Sequence, residues 1–286
     1  MSCSDAATSR ISPVFAHYRG RKYGHGPGDL VVRLRAVLLT ACLLPALASA
    51  ETLIASHRGS VSQAPENTLA AFRWAETVGA DLIEADLRVA GDGSLVVIHD
   101  ARVNRTTNGR GKVRQLPLSK LKDLDAGGGQ AIPTIDETLA LVRTSRTHLL
   151  LDVKDSKRVD AERLVAAVER QGMRERVIIG SRSADLAGSL KSLEPELKVL
   201  AMVPDANAIP DFLALDVDGV RLWARWARQD PDLVEEVRRA GAEVWLMTGG
   251  LKGRSLRQAL RIADGVITNH PSEARFISQA RLPQSL

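Results

Sequence analysis

Cysteine is almost absent from this 286-residue chain. There are two, Cys3 and Cys42, and both fall in the first fifty residues. Beyond residue 50 neither a disulfide nor thiol chemistry is available, so that part must hold together by its core. Aromatic residues make up only 3% of the chain, and no amphipathic stripe suited to membrane insertion runs through it. That argues against stable membrane insertion. The first apolar strand candidate is not followed by a glycine-rich dinucleotide loop, which removes the usual reason to expect an open nucleotide-binding sheet. Internal repeats, low-complexity tracts and interdomain linkers are also missing.

The longest apolar run lies in Val32–Ala50, which has a basic start, a short hydrophobic stretch and a closing Ala48-Ser-Ala50. This is the pattern of a cleavable export signal, and the run falls short of the roughly 20 residues a membrane span needs. Cleavage is expected after Ala50, giving a periplasmic or secreted chain that starts near Glu51. Leu39-Thr-Ala-Cys42 offers a competing reading as a lipoprotein attachment site at Cys42. Residues 1–30 are polar and non-periodic, which is odd ahead of a signal, and suggests a translation start near Val31 or Val32. Removing residues 1–50 takes away six bases and two acids and leaves 33 Lys or Arg against 32 Asp or Glu. The sequence pI of about 9.5 is therefore mostly a property of the leader, and no nucleic-acid partner is expected.

The remaining 236 residues suffice for one large α/β domain, 51–286. Strands are expected at Leu53–Ser56, Leu82–Leu87, Leu95–Ile98, His148–Val153, Val177–Gly180, Val199–Val203, Gly219–Leu222, Glu243–Met247 and Gly265–Thr268. Amphipathic helices are expected between them at Asn67–Val78, Thr134–Arg143, Asp160–Gln171, Ser183–Leu193, Pro231–Ala240 and Ser255–Ile262. Such alternation predicts a (β/α)8 TIM-type barrel. The ninth strand is accounted for by Gly91-Asp-Gly93, a link too short for a parallel crossover, so the second and third strands should form a β-hairpin. With Asp92-Gly93 as a two-residue turn, facing positions sum to 185. Asp86 would then lie opposite His99, on the same side as Glu84.

Those residues carry the chemistry. His57, Glu84, Asp86 and His99 all sit where strands should end, and polar groups at the edge of a core cost stability unless something pairs or uses them. Two imidazoles with a carboxylate pair are the inventory of a metal-assisted acid/base phosphodiesterase; the competing reading is a set of ion pairs between barrel strands. The Gly- and Arg-rich segment 101–132 reads as a long excursion over one barrel mouth.

Seven motifs in register, His57-Arg-Gly59, Pro65-Glu-Asn-Thr68, Glu84-Ala-Asp86, Asp92-Gly93, His99-Asp100, Arg105-Thr-Thr107 with Asn108-Gly109, and Asp152-Val-Lys154, resemble the glycerophosphodiester phosphodiesterase family. The likeness runs from about Ile54 to Pro271. It implies a barrel enzyme that cleaves glycerophosphodiesters to sn-glycerol 3-phosphate and an alcohol, the glycerol 2-hydroxyl attacking its own phosphorus and water opening the cyclic phosphate. It further implies one divalent cation on Glu84, Asp86 and Asp152, acid/base roles for His57 and His99, and phosphate contacts from Arg58 and Lys154. Asp152 departs from the family's usual Glu. The shorter side chain favours Ca2+, which tolerates irregular shells, over Mg2+. Trp245-Leu-Met-Thr248 and Thr268-Asn-His-Pro271 resemble the family's last two strand ends, with Asn269 where Asp is common. Trp245 is expected to wall the substrate pocket, or else to fill the barrel core.

Other residues get a plainer reading. His148 and His270 are expected at the surface or behind the site, and Gly127-Gly-Gly129 as a turn rather than a phosphate cradle. Glu66 and Asn67 are placed beside the metal or at the first helix cap. Two alternatives stand beside the leading function: a lysophospholipase D or phospholipase C relative acting on lipid, and a barrel that only binds polyol phosphates.

Overall fold

A computed structural model describes residues 51–280. The expected export segment therefore lies outside the described residues. Nine strands form one sheet: β1 Leu53–Ser56, β2 Leu82–Val89, β3 Leu95–Val97, β4 His148–Val153, β5 Val177–Ser181, β6 Lys198–Ala201, β7 Gly219–Trp223, β8 Glu243–Gly249 and β9 Gly265–Thr268. Eight are parallel and close on themselves, because β1 pairs with both β2 and β9. Helices follow the strands around the outside, which is the (β/α)8 architecture.

Barrel strands are buried on both faces, and their sequences say so: Leu149-Leu-Leu151 is fully buried without alternation. One set of side chains, including Ala55, Leu82, Leu150, Ile178, Leu200, Trp245 and Ile267, fills the barrel interior. The other set, Ile54, Ile83, Leu149, Leu151, Ile179 and Val199 among them, packs under the helices. Inward parity can then be followed across the ladder, since Asp86 pairs with Asp152 and Asp152 with Gly180. Arg182, just past the end of β5, and Arg221 on β7 are in the same inward phase as the acids.

Helix caps come from the expected residue types. Thr134 and Glu137 form a reciprocal capping box, and Asp160 and Ser183 each accept from the first turn of the helix they open. Helix α1 runs Leu69–Thr77 and its cap is Thr68, one residue later than the sequence suggests. Unpredicted helices include Ala224–Gln229 and Pro271–Gln279. The second is opened by Pro271, which lacks only an N–H that a first helical turn leaves unbonded anyway.

Strands β2 and β3 pair antiparallel, but the register differs from expectation. Leu87 faces Val97 and Arg88 faces Val96, so facing positions sum to 184. Gly93 has φ 84, and Ala90 N–H donates to the Ser94 carbonyl at 2.8 Å. Gly91–Gly93 is thus a three-residue loop ending in a left-handed glycine, not a two-residue turn. Asp86 consequently lies beside Ile98, whose N–H donates to the Asp86 carbonyl at 2.9 Å. His99 is carried past the end of the ladder rather than opposite Asp86.

Candidate active site

The C-terminal ends of β1, β2, β4 and β9 deliver the site. After β1 the chain turns sharply at Arg58 (φ 56) and Gly59 (φ 73). A Cβ at Gly59 would lie 2.5 Å from Phe72 Cδ1 and 2.8 Å from the Ala71 carbonyl carbon, so the turn is pressed onto α1 and admits only glycine. Arg58 holds its strained backbone through three bonds: its N–H donates to Glu84 Oε2 at 2.7 Å, and its carbonyl accepts from Ser60 and Asn67. The same turn aims His57 into the mouth.

Three buried carboxylates converge there. Glu84, Asp86 and Asp152 each offer an oxygen, all within 4.8 Å of one another. Lys154 Nζ lies 2.8 Å from Asp86 Oδ1 and also contacts Asp152. Arg182 grips Asp152 with two nitrogens, Nη2 to Oδ2 at 2.9 Å and Nε to Oδ1 at 3.3 Å. Asn67, left-handed at φ 58, donates to Asp86 Oδ2 at 2.7 Å and accepts from the Asp86 N–H at 3.0 Å. It therefore braces a carboxylate and leaves helix capping to Thr68. Glu66 is linked to Arg58 at 2.9 Å, and Arg105 bridges Glu66 and Asp100.

The acids divide electrostatically. Burial alone would raise Asp86, but Lys154, His99 and the Asn67 amide together bring it down to about 2. Glu84 is pushed well above the usual carboxylate range, first by burial and then by the charges of Asp86 and Asp152. The Arg58 N–H stabilises its charged form through a hydrogen bond. Apart from Lys154, Asp86 Oδ1 has no partner among the described residues. Convergent hard oxygens, one carboxylate lacking compensation and one short of partners are what a divalent cation would satisfy, so the residues present fit one.

The two histidines sit in different surroundings. His57 is half-buried, with Nδ1 2.6 Å from Asn269 Oδ1. With the amide oxygen oriented inward it can only accept, so Nδ1 carries the proton and Nε2 presents its lone pair. Burial, then Arg58, holds the His57 pKa below the ordinary 6.5. His99 is partly exposed and its Nδ1 lies 2.7 Å from Asp100 Oδ1. Arg105 and His99 together keep Asp100 well below the usual carboxylate range, so His99 has a permanently charged acid beside it. Arg88 fixes the His99 carbonyl at 2.8 Å. Both imidazoles act electrostatically on Asp86.

Trp245 needs correcting as a pocket residue. It is 1% exposed and lies in the barrel interior, its indole N–H donating to Glu243 Oε2 at 2.9 Å. Glu243 begins β8, so the ring points toward the opposite end of the barrel, into space left by Gly265. Met247 lies one inward position further along β8, toward the mouth. His148 begins β4, away from the site, and His270 precedes the last helix. The Gly127 and Gly129 N–H groups both donate to Asp125 Oδ1, so this turn is already satisfied by an acid and does not cradle phosphate. Sequence reading passed over Arg182, Arg221 and Trp223. The signal was there in inward parity, two residues beyond Gly180 and Gly219.

Parallel (β/α)8 barrels concentrate chemistry at the C-terminal ends of their strands, and a mouth carrying buried acids and two imidazoles with different hydrogen-bond partners places this chain among barrel enzymes. Residues 57–273 match the glycerophosphoryl diester phosphodiesterase family model, and the chain belongs to that family. It is 34% identical over 231 residues, 77% of this chain and 95% of the relative, to a glycerophosphodiester phosphodiesterase of Caldanaerobacter subterraneus subsp. tengcongensis. A crystal structure of glycerophosphodiester phosphodiesterase from Agrobacterium tumefaciens str. C58 superposes with TM-score 0.68 at 31% identity, covering 78% of this chain and 98% of that one. An Oleispira antarctica phosphodiesterase, solved in complex with the product sn-glycerol-3-phosphate, gives TM-score 0.71 at 26% identity, covering 79% and 96%.

Proposed function

We propose that this enzyme hydrolyses glycerophosphodiesters to sn-glycerol 3-phosphate and an alcohol, with His57 as the initial base and His99 as the initial acid. The observation carrying the assignment is the pairing of each imidazole: His57 faces a neutral amide oxygen and Arg58, His99 a carboxylate. The first arrangement favours neutral imidazole, and the second sets an acceptor carboxylate against His99 Nδ1, which orients that ring. Product identity is supported by the Oleispira relative, whose structure holds sn-glycerol-3-phosphate.

Glu84, Asp86 and Asp152 would hold a divalent cation, which when bound supplies positive charge to offset that of the phosphodiester. Ca2+ is favoured over Mg2+, because Asp152 is already committed to Lys154 and Arg182 and leaves an irregular donor set. Arg58 presents a buried Nε with no hydrogen-bond partner among the described residues, and with Lys154 it receives the phosphate oxygens. His57 Nε2 takes the proton of the glycerol 2-hydroxyl as that oxygen bonds phosphorus. The bond from phosphorus to the alcohol oxygen breaks, and His99 protonates the departing oxygen. In the second step His99 takes a proton from water as it attacks phosphorus, the bond to the 2-oxygen breaks, and His57 returns the proton to it.

The purified protein tests this reading: sn-glycerol 3-phosphate should appear from glycerophosphoethanolamine when Ca2+ or Mg2+ is supplied. We further propose that the chain acts outside the cytoplasm after cleavage near Ala50. The Val32–Ala50 pattern supports this, and among the described residues no helix is long and apolar enough to cross a membrane. The intact mass of the exported species checks it, since a lipid on Cys42 or an uncleaved cytosolic chain would contradict it.

A further inference from the structure

The mechanism above leaves one buried charge without a task. Arg221, on β7, is 2% exposed. Its Nη1 is buried without a hydrogen-bond partner, and no ion pair joins it to a carboxylate among the described residues. Leaving a guanidinium uncompensated in a core costs several kcal/mol, and burial, then Arg182, lowers its pKa to about 10. It stays charged at neutral pH. Its phase on the strand points inward, and the charges acting on it are Arg182, Asp152 and Glu84, which places it behind the site.

In front of it the same quadrant is open. The Arg221 guanidinium carbon lies 4.9 Å from the centroid of the Trp223 ring, and that of Arg225 lies 5.4 Å from the same ring. Trp223 is 38% exposed at the end of β7, and the Arg182 side chain is 41% exposed beside Asp152. An aromatic ring at a phosphodiesterase mouth suggests a seat for a quaternary ammonium. Here the ring already serves two guanidiniums, and the surrounding charges repel a third cation. Arg182 and Lys154 are matched by the acids they grip; Arg221 and Arg225 are the surplus.

We propose that the Arg182–Arg221–Trp223–Arg225 quadrant is a leaving-group subsite selective for glycerophosphodiesters whose alcohol itself carries an anionic group, a carboxylate or a phosphate. Arg182 and Arg225 meet that group at the surface. Arg221 acts from behind as a fixed charge in a low-dielectric wall, where its field is screened little. This rests on the reaction proposed above but asks a separate question, which alcohol is accepted.

Three diesters of glycerol phosphate test it, with glycolate (anionic), ethylene glycol (neutral) and choline (cationic) as the alcohol. The wild-type kcat/KM should favour glycolate over choline by about tenfold or more. That ratio should fall toward one in Arg221→Gln and in Arg225→Gln, the second a surface change that keeps the test alive should the first fail to fold. Calorimetric binding of the same diesters to the His99→Ala protein reads the ratio without turnover. If the glycolate diester binds best through Arg221 yet no diester is ever cleaved, the reaction falls and the subsite stands. If all three are cleaved alike, the subsite falls and the reaction stands. Equal losses on all three in Arg221→Gln would place that residue at the scissile phosphate and overturn the inference.

Discussion

His57 Nδ1 lies 2.6 Å from Asn269 Oδ1, a bond between the ends of β1 and β9, the strands whose pairing closes the barrel. An amide at this point fixes the imidazole tautomer without adding a negative charge; burial, then Arg58, hold the His57 pKa below the ordinary 6.5, against the upward pull of the Asn269 bond. With His57 as the proposed initial base, kcat/KM needs it neutral, so activity should be lost only as pH falls through that lowered value. Asn269→Asp would favour the imidazolium, so activity should be lost at higher pH, with the acid limb moving up by about one unit. A pH profile of kcat/KM in which the limb stays put would remove Asn269 from this role.

Replacing either histidine by Ala should lower kcat by about 10²–10⁴-fold, the range for a lost general acid or base, with far less effect on substrate binding. A p-nitrophenyl ester of glycerol phosphate releases a good leaving group that needs little protonation. It should rescue His99→Ala and not His57→Ala. Rescue of both to the same extent would mean the roles are not divided as proposed.

Glu84→Gln and Asp86→Asn each remove a charged oxygen donor and little volume. Activity should vanish in both while thermal unfolding remains cooperative. Asp152→Glu should keep activity and change the ratio of rates with Ca2+ and Mg2+. Full activity in either of the first two variants would exclude a cation held by these acids.

Much of this site was legible in the sequence because strand ends are marked by the switch from apolar runs to polar residues. His57, Glu84, Asp86 and Asp152 all fall at such switches and all reach one mouth. What failed was distance along and across strands. The hairpin register was missed by one because Asp92-Gly93 looks like a two-residue turn, whereas Gly93 ends a three-residue loop. Trp245 was assigned to the pocket because inward phase alone does not say which end of the barrel a side chain faces. Its partner across the ladder, Gly265, was the clue that the ring lies in the core. Arg221 was missed because arginine is rarely buried without a partner.

The Gly59 turn carries a stability prediction. Gly59→Ala adds both a left-handed strain at φ 73 and a clash with Phe72 and the α1 backbone, and should cost about 2–5 kcal/mol. Gly79→Ala has nearly the same φ, 71, with nothing within 4 Å, and should cost about 1 kcal/mol. Denaturant melts of the pair separate strain from clash; equal losses would mean the close approach to Phe72 is not felt.

The central claim, a cation-dependent phosphodiesterase that makes sn-glycerol 3-phosphate, is tested most directly by following glycerophosphoethanolamine by phosphorus NMR, with the purified protein in Ca2+, in Mg2+ and in EDTA. The diester signal should be replaced by that of glycerol 3-phosphate with a divalent cation present and should persist in EDTA. Unchanged diester under every condition, or conversion at the same rate in EDTA, would contradict it.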